Sequence, residues 1–289
     1  MKTDILVEDL FFGEGPRWHE GRLWFSDFYD HKIKSIDESG TLQIELELDD
    51  QPSGLGWLPD GRLLLVAMKQ RKVKRLDPKG LVDHADLSAL TVYRCNDMVV
   101  DSLGRAYVGN FGFDLEAEFA AADGALDYAK LPTTNLVRVD PDGSVQVASA
   151  QMHFPNGAVI TADGRTLIIA ESTANRLTAF TIARDGTLQE RRLWASLGDV
   201  TPDGICLDAR GHVWVANAFA AECVLISEGG SVLQRIETSQ PCFACMLGGA
   251  DGRTLFTMTA ADADASVASS QRTGKIEVLR VEHQRDGWP

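Results

Sequence analysis

Along the chain, apolar residues come in short runs of four to six, and nearly every run ends at a turn built on Asp-Gly or Gly. One phrase recurs: a polar or small residue followed by Gly or Asp, an apolar run, a D-G-R-like turn, a second apolar run, a variable turn and a third strand. It reads SGLGWLPDGRLLLVAM at residues 53–68 and NGAVITADGRTLIIAE at 156–171. Further copies are NDMVVDSLGRAYVGN at 96–110, DGICLDARGHVWVAN at 203–217 and ACMLGGADGRTLFTMT at 244–259. The first copy, EGPRWHEGRLWFSD at 14–27, is one residue shorter. Third strands follow as KIKSID, KVKRLD, NLVRVD, RLTAFTI and KIEVLRV. The runs are too short for helices and are rich in β-branched and aromatic residues, so they predict strands. Six units spaced by roughly 40 to 60 residues predict an all-β fold. The expected architecture is a six-bladed β-propeller with four-stranded blades, forming a single domain over residues 1–289.

Such a ring has to close. The strand-like segment 5–9 precedes the first copy and is expected to pair with the last blade near 275–282, which also protects an edge strand. The third copy departs from the others by an insert, FGFDLEAEFAAADGALDYAKLP, over residues 111–133. Loops of this length are usually functional or mobile, so the insert is read either as a lid over one end of the channel or as a surface loop.

Aligned on the D-G-R turn, one position opens the first strand of every blade: Glu14, Ser53, Asn96, Asn156, Asp203 and Ala244. First strands line the axis of a propeller, so these side chains are expected to encircle one mouth of the channel. Packing would not select carboxylates and carboxamides there, because two carboxylates brought together repel. A hard cation resolves the conflict. The Glu and Asp carboxylates of the ring, with an Asn carbonyl, are oxygen ligands of the sort taken by calcium, magnesium or manganese. The alternative is a solvated polar mouth.

Charge and composition narrow the function. The net charge of −14 argues against nucleic acid and anionic lipid as partners. No apolar stretch has the length of a membrane span, and the N-terminus lacks the pattern of a signal peptide. Five cysteines in a long chain imply no disulfide framework, so a reducing cytoplasm is the expected compartment. The Cys242-x-x-Cys245 pair is read as buried small apolar residues rather than as a zinc or redox site. His153 is the only one of the six histidines near the ring positions, and packing or a surface place suits it better than a role beside the ligands. No serine-hydrolase elbow, phosphate loop or dinucleotide fingerprint is present. Glu171, at the end of a second strand, is expected to orient a ligand or to face solvent.

The segments GEGPRW, RCND at 94–97, HFPNG at 153–157 and TPDGIC at 201–206 resemble, in order and spacing, those of the SMP-30/gluconolactonase/LRE-like family of propellers. The resemblance runs from about Leu6 to Val281. It implies one divalent metal held by Glu14, Asn156 and Asp203, with Ca²⁺ first and Mg²⁺, Mn²⁺, Zn²⁺ or Fe²⁺ as alternatives. It further implies substrate contacts from Arg94 and Asn96, and the opening of a small lactone. The Phe-rich insert (Phe111, Phe113, Phe119) points away from a strictly sugar substrate. On this reading Asp203 is the general base and Arg94 binds ring oxygens or the carbonyl. Competing readings are a calcium-dependent phosphotriesterase-like hydrolase, a non-catalytic propeller with a structural ion and, more remotely, a strictosidine-synthase-like lyase. A monomer is the default for a closed ring.

Overall fold

A computed structural model describes residues 1–121 and 126–289, and nothing is stated of the side chains of Phe119 and Ala129. Its strands form six four-stranded antiparallel sheets arranged as the blades of a propeller. In blades 1 to 5 the strands follow chain order from the axis outward; blade 1 runs Gly13–His19, Arg22–Asp27, Lys32–Ile36 and Leu42–Glu47. Blade 6 takes three strands from the end of the chain and its outermost from the beginning. Asp4–Leu10 pairs with Gly274–Arg280, from Asp4 opposite Val278 to Leu10 opposite Gly274, which is the expected closure.

The closure is secured by one buried carboxylate. Glu277 accepts hydrogen bonds from Ser239 N–H (3.0 Å), Ser239 Oγ (2.7 Å), Thr259 Oγ1 (2.8 Å) and Thr3 Oγ1. It ties the N-terminal segment, the approach to blade 6 and blade 6 itself. Glu277→Ala leaves the buried Thr259 hydroxyl without its acceptor and is expected to cost about 1–2 kcal/mol, read from the urea midpoint; a change under about 0.5 kcal/mol would show that the clasp is incidental.

Inner strands carry the apolar residues that fill the space between blades. Cys206, Cys223, Cys242 and Cys245 lie in the apolar cluster of blades 5 and 6, and all five cysteines are buried and unbridged. Cys242-x-x-Cys245 is therefore core, as expected. At the far end of the channel the C-terminal tail crosses the inner strands, with Trp288 and Ile160 exchanging backbone hydrogen bonds of 2.8 and 2.7 Å. Among the described residues no helix is long and apolar enough to cross a membrane.

Candidate active site at the channel mouth

Each inner strand loses its pairing register at its start: between Glu14 and Arg17, Pro52 and Leu55, Cys95 and Met98, Pro155 and Ala158, Pro202 and Ile205, and Cys242 and Ala244. A bulge of this kind bends the strand and re-aims a side chain. The interruptions span or adjoin the six ring positions, and they turn those side chains across the axis instead of into the inter-blade core. Adjacent bulges also crowd one another. A Cβ on Gly157 would lie 2.5 Å from the Asp203 carbonyl oxygen, and one on Gly204 would lie 2.7 Å from Ala244 Cα. Glycine after the ring residue is therefore what lets the inner strands of blades 4 and 5 approach their next neighbours.

Four of the ring residues, Glu14, Asn96, Asn156 and Asp203, line one cavity of about 390 Å³. Asn96 Nδ2 donates to Asn156 Oδ1 at 2.9 Å, and Ser53 Oγ donates to Asn96 Oδ1 at 3.4 Å. Asn156 Nδ2 donates to Ser172 Oγ at 3.1 Å, and that hydroxyl donates to the Pro202 carbonyl at 2.6 Å. Asn156 thus meets Asn96 through its oxygen and Ser172 through its amide, and it lines the cavity floor with Glu14 and Asp203.

The electrostatics are unbalanced. Burial, and next the charge of Asp203, push Glu14 well above the usual carboxylate range. Burial, and next the charge of Asp97, push Asp203 well above it too, against a lowering hydrogen bond from Asn156. The nearest guanidinium, Arg17, is committed elsewhere. It donates to Asp97 Oδ1 at 2.6 Å and to the carbonyls of Leu55 (3.0 Å), Pro16 (2.7 Å) and Met98 (2.5 Å). Its pair with Asp97 spans the bulges of blades 1 and 3.

That pair escaped the sequence reading. The signal was present: Gly follows the ring residue at 15, 54, 157 and 204, whereas position 97 carries Asp. The aromatic chamber above the floor escaped too: Phe12, Phe28, Tyr29, Tyr93, Phe154, Phe219 and Phe243 flank the ring residues and the ends of the second strands, positions the alignment did not follow. Arg94 reaches this chamber, but its guanidinium is held by Glu116 Oε1 and Oε2 at 2.9 and 3.3 Å and lies 5.2 Å from the Tyr93 ring centre. Glu116 belongs to the helix Leu115–Ala121 of the insert, and Leu115 and Tyr128 of the insert also line the chamber. The described part of the insert thus contributes to the chamber wall. Phe111 lines the chamber, whereas Phe113 packs beneath it with Leu131 and Phe154. The Phe119 side chain and residues 122–125 lie outside the described residues.

Two other expectations are settled by packing. Glu171 neither faces solvent nor approaches the floor. It is fully buried and accepts from His153 N–H (2.8 Å), Thr178 Oγ1 (2.5 Å) and Arg176 (3.0 Å). It shares this job with Asp27 and Asn217, which end the second strands of their own blades. Each accepts the N–H of the loop entering its blade's inner strand: Phe12 to Asp27 at 2.9 Å, Thr201 to Asn217 at 3.2 Å. The His153 side chain is half-buried and lines a separate surface cleft with Arg176 and Arg191, away from the ring.

Oxygen donors gathered at the mouth of a six-bladed ring, beneath an aromatic chamber, define a class of propeller with a polar small-molecule site on its axis. The chain belongs to the SMP-30/gluconolactonase/LRE-like family, whose model matches residues 12–261. It is 25% identical over 279 residues to the pentonolactonase XacC of Haloferax volcanii, covering 94% of this chain and 89% of that one. It is 29% identical over 271 residues to regucalcin of Danio rerio, covering 89% and 85%. Among solved structures, a luciferin-regenerating enzyme superposes with a TM-score of 0.81 at 18% identity, covering 99% of this chain and 97% of that one.

Proposed function

We propose that this protein is a metal-dependent hydrolase that opens a small lactone, with Glu14, Asn156 and Asp203 holding one divalent cation, calcium in the first instance. The observation that carries this reading is the pair of carboxylates on the cavity floor, Glu14 buried and Asp203 half-buried, both pushed up by desolvation and by neighbouring charge, with Arg17 already bound to Asp97 and Arg94 to Glu116. Among the described residues no three His, Cys, Asp or Glu side chains are grouped for metal binding, so the third donor is the amide oxygen of Asn156. Two carboxylates and an amide oxygen fit a hard cation and leave further positions for water and substrate. The lactone-hydrolysing relative supports the bond cleaved.

When bound, the cation polarises the lactone carbonyl as a Lewis acid and offsets the charge that builds on its oxygen. The chain's own groups do the rest. Asp203 is partly open to the cavity and accepts the proton of the attacking water as general base. The carbonyl carbon gains the water oxygen, its bond to the ring oxygen breaks, and the proton passes to that oxygen to give the hydroxy acid. Asn96 offers an amide to a substrate hydroxyl or carbonyl. Arg94 binds substrate oxygens once Glu116 is displaced or shared.

Cation binding supplies the test. In metal-free protein the two raised carboxyls hold protons more firmly folded than unfolded. Their stability contribution is therefore complete below about pH 4 and is lost as pH rises toward the folded values. A cation reverses this loss, so its stabilisation should grow from pH 5 to pH 8, reaching about 2.7 kcal/mol at 100-fold its Kd. Thermal midpoints of stripped protein with and without Ca²⁺, Mg²⁺, Mn²⁺ or Zn²⁺, together with lactone turnover in the same samples, check it. A cation increment that stays flat across this range, or turnover indifferent to stripping, would remove the metal from the reading.

A further inference from the structure

We infer that the chamber takes a neutral lactone bearing an apolar substituent, an alkyl chain or an aryl group, in preference to a polyhydroxylated or anionic sugar lactone. This rests on the hydrolase reading above and names the substrate class of the same site. The polar groups available to a ligand are concentrated at the floor. Above it the walls are rings in mutual contact: Phe12 with Phe28 and Phe243 at centroid separations of 5.5 and 4.7 Å, and Phe111 with Phe154 at 4.6 Å. Phe219 meets Tyr128 of the insert at 6.4 Å.

A sugar lactone carries a hydroxyl on nearly every ring carbon, and each would have to exchange water for a protein partner on entering. The rim carboxylates are largely taken, which leaves a few neutral partners such as the hydroxyls of Tyr29 and Tyr128 and the Gln51 amide. Glu116 is engaged with Arg94. Asp264 accepts from the N–H (2.8 Å) and hydroxyl (2.5 Å) of Ser266, and Asp262 accepts from Asp264 N–H at 2.9 Å. Charge points the same way. Arg94 is the one basic residue among the described residues lining the chamber, and it is already neutralised, whereas Glu116, Asp262 and Asp264 stand around the mouth. A phosphate, carboxylate or sulfonate on the substrate would meet repulsion. An alkyl or aryl group would replace water against the aromatic walls, and a volume of about 390 Å³ accommodates a lactone ring with such a group.

The experiment is a kcat/KM series at saturating cation on γ- and δ-lactones substituted from methyl to hexyl and with phenyl, beside glucono-δ-lactone and an anionic sugar lactone. The expected result is a rise of about threefold to fourfold per methylene until the chamber fills, and at least about tenfold preference over glucono-δ-lactone. Phe219→Ala, at a ring 60% exposed and so tolerant of change, should flatten that rise, read in KM. A flat series, or preference for either sugar lactone, overturns the inference and leaves the hydrolase reading standing. Absence of turnover on every lactone with every cation fails the hydrolase reading, and the inference falls with it.

Discussion

Asp203→Asn is expected to lower lactone turnover by at least about 10³-fold and, in the same protein, to raise the thermal midpoint of the metal-free form. The two effects have one origin. Asp203 stands near the charges of Glu14 and Asp97 in a buried site, and each like charge makes the others harder to ionise. Replacing one carboxylate by an isosteric amide removes that repulsion and keeps an oxygen to meet Asn156. Relief on the order of 1 kcal/mol corresponds to about 2–4 °C for a chain of this size. Function loses what stability gains. An amide cannot take the proton of the attacking water, and it supplies a weaker ligand, so the stabilisation by added cation should largely vanish. Asp203→Ala should lose turnover equally, with less gain in stability because it leaves a gap beside Asn156. Parent-like turnover in either variant would sink the assignment of Asp203 as base. A lower midpoint in metal-free Asp203→Asn would show that the site is not electrostatically strained.

Much of this site could be read from the chain because the propeller repeats and the site is a deviation from the repeat. Aligning Glu14, Asn96, Asn156 and Asp203 needs only the D-G-R turn as a ruler, and the bulged inner strands place all four on one cavity. Ring closure was equally accessible, since an unpaired strand at one end of a closed fold has one edge to fill. What stayed hidden depends in part on meetings of distant segments. Glu171 looks from its position like a candidate ligand or surface group. Its place is decided by Thr178 and Arg176 on the next strand and by the His153 N–H, with Arg191 of the outer strand Leu188–Ser196 adding a contact at 3.3 Å. Phe12 and Phe28 hold repeating positions, two before the ring residue and one after the second strand, which Phe154 and Phe111 fill in other blades, and closure of blade 6 adds Phe243 to them. The salt bridge of Arg94 to Glu116 joins the residue just before an inner strand to an insert with no counterpart in the other copies, so no alignment of repeats could have indicated it.

Asp97→Ala is expected to produce the largest loss of stability of any single change at the mouth, about 3–5 kcal/mol, because it leaves a buried guanidinium without its counter-ion. Arg17 and Asp97 are each about 5% exposed, and their contact is 2.6 Å. The three carbonyls that Arg17 also reaches satisfy its N–H groups but carry no net charge to oppose its own. The loss should appear as a lower urea midpoint with little change in slope. Pairing the change with Arg17→Met removes the orphaned charge and should recover a large part of the stability, since a buried ion pair exchanged for apolar groups is often nearly neutral. The pair also bears on chemistry. Asp97 is the leading charge that raises Asp203, so in the double variant the acidic limb of the pH–rate profile should move to lower pH. A loss under about 1 kcal/mol for Asp97→Ala, or a double variant no more stable than the single one, would mean that the pair is solvated in solution. An acidic limb that stays in place would mean that Asp97 does not tune the base.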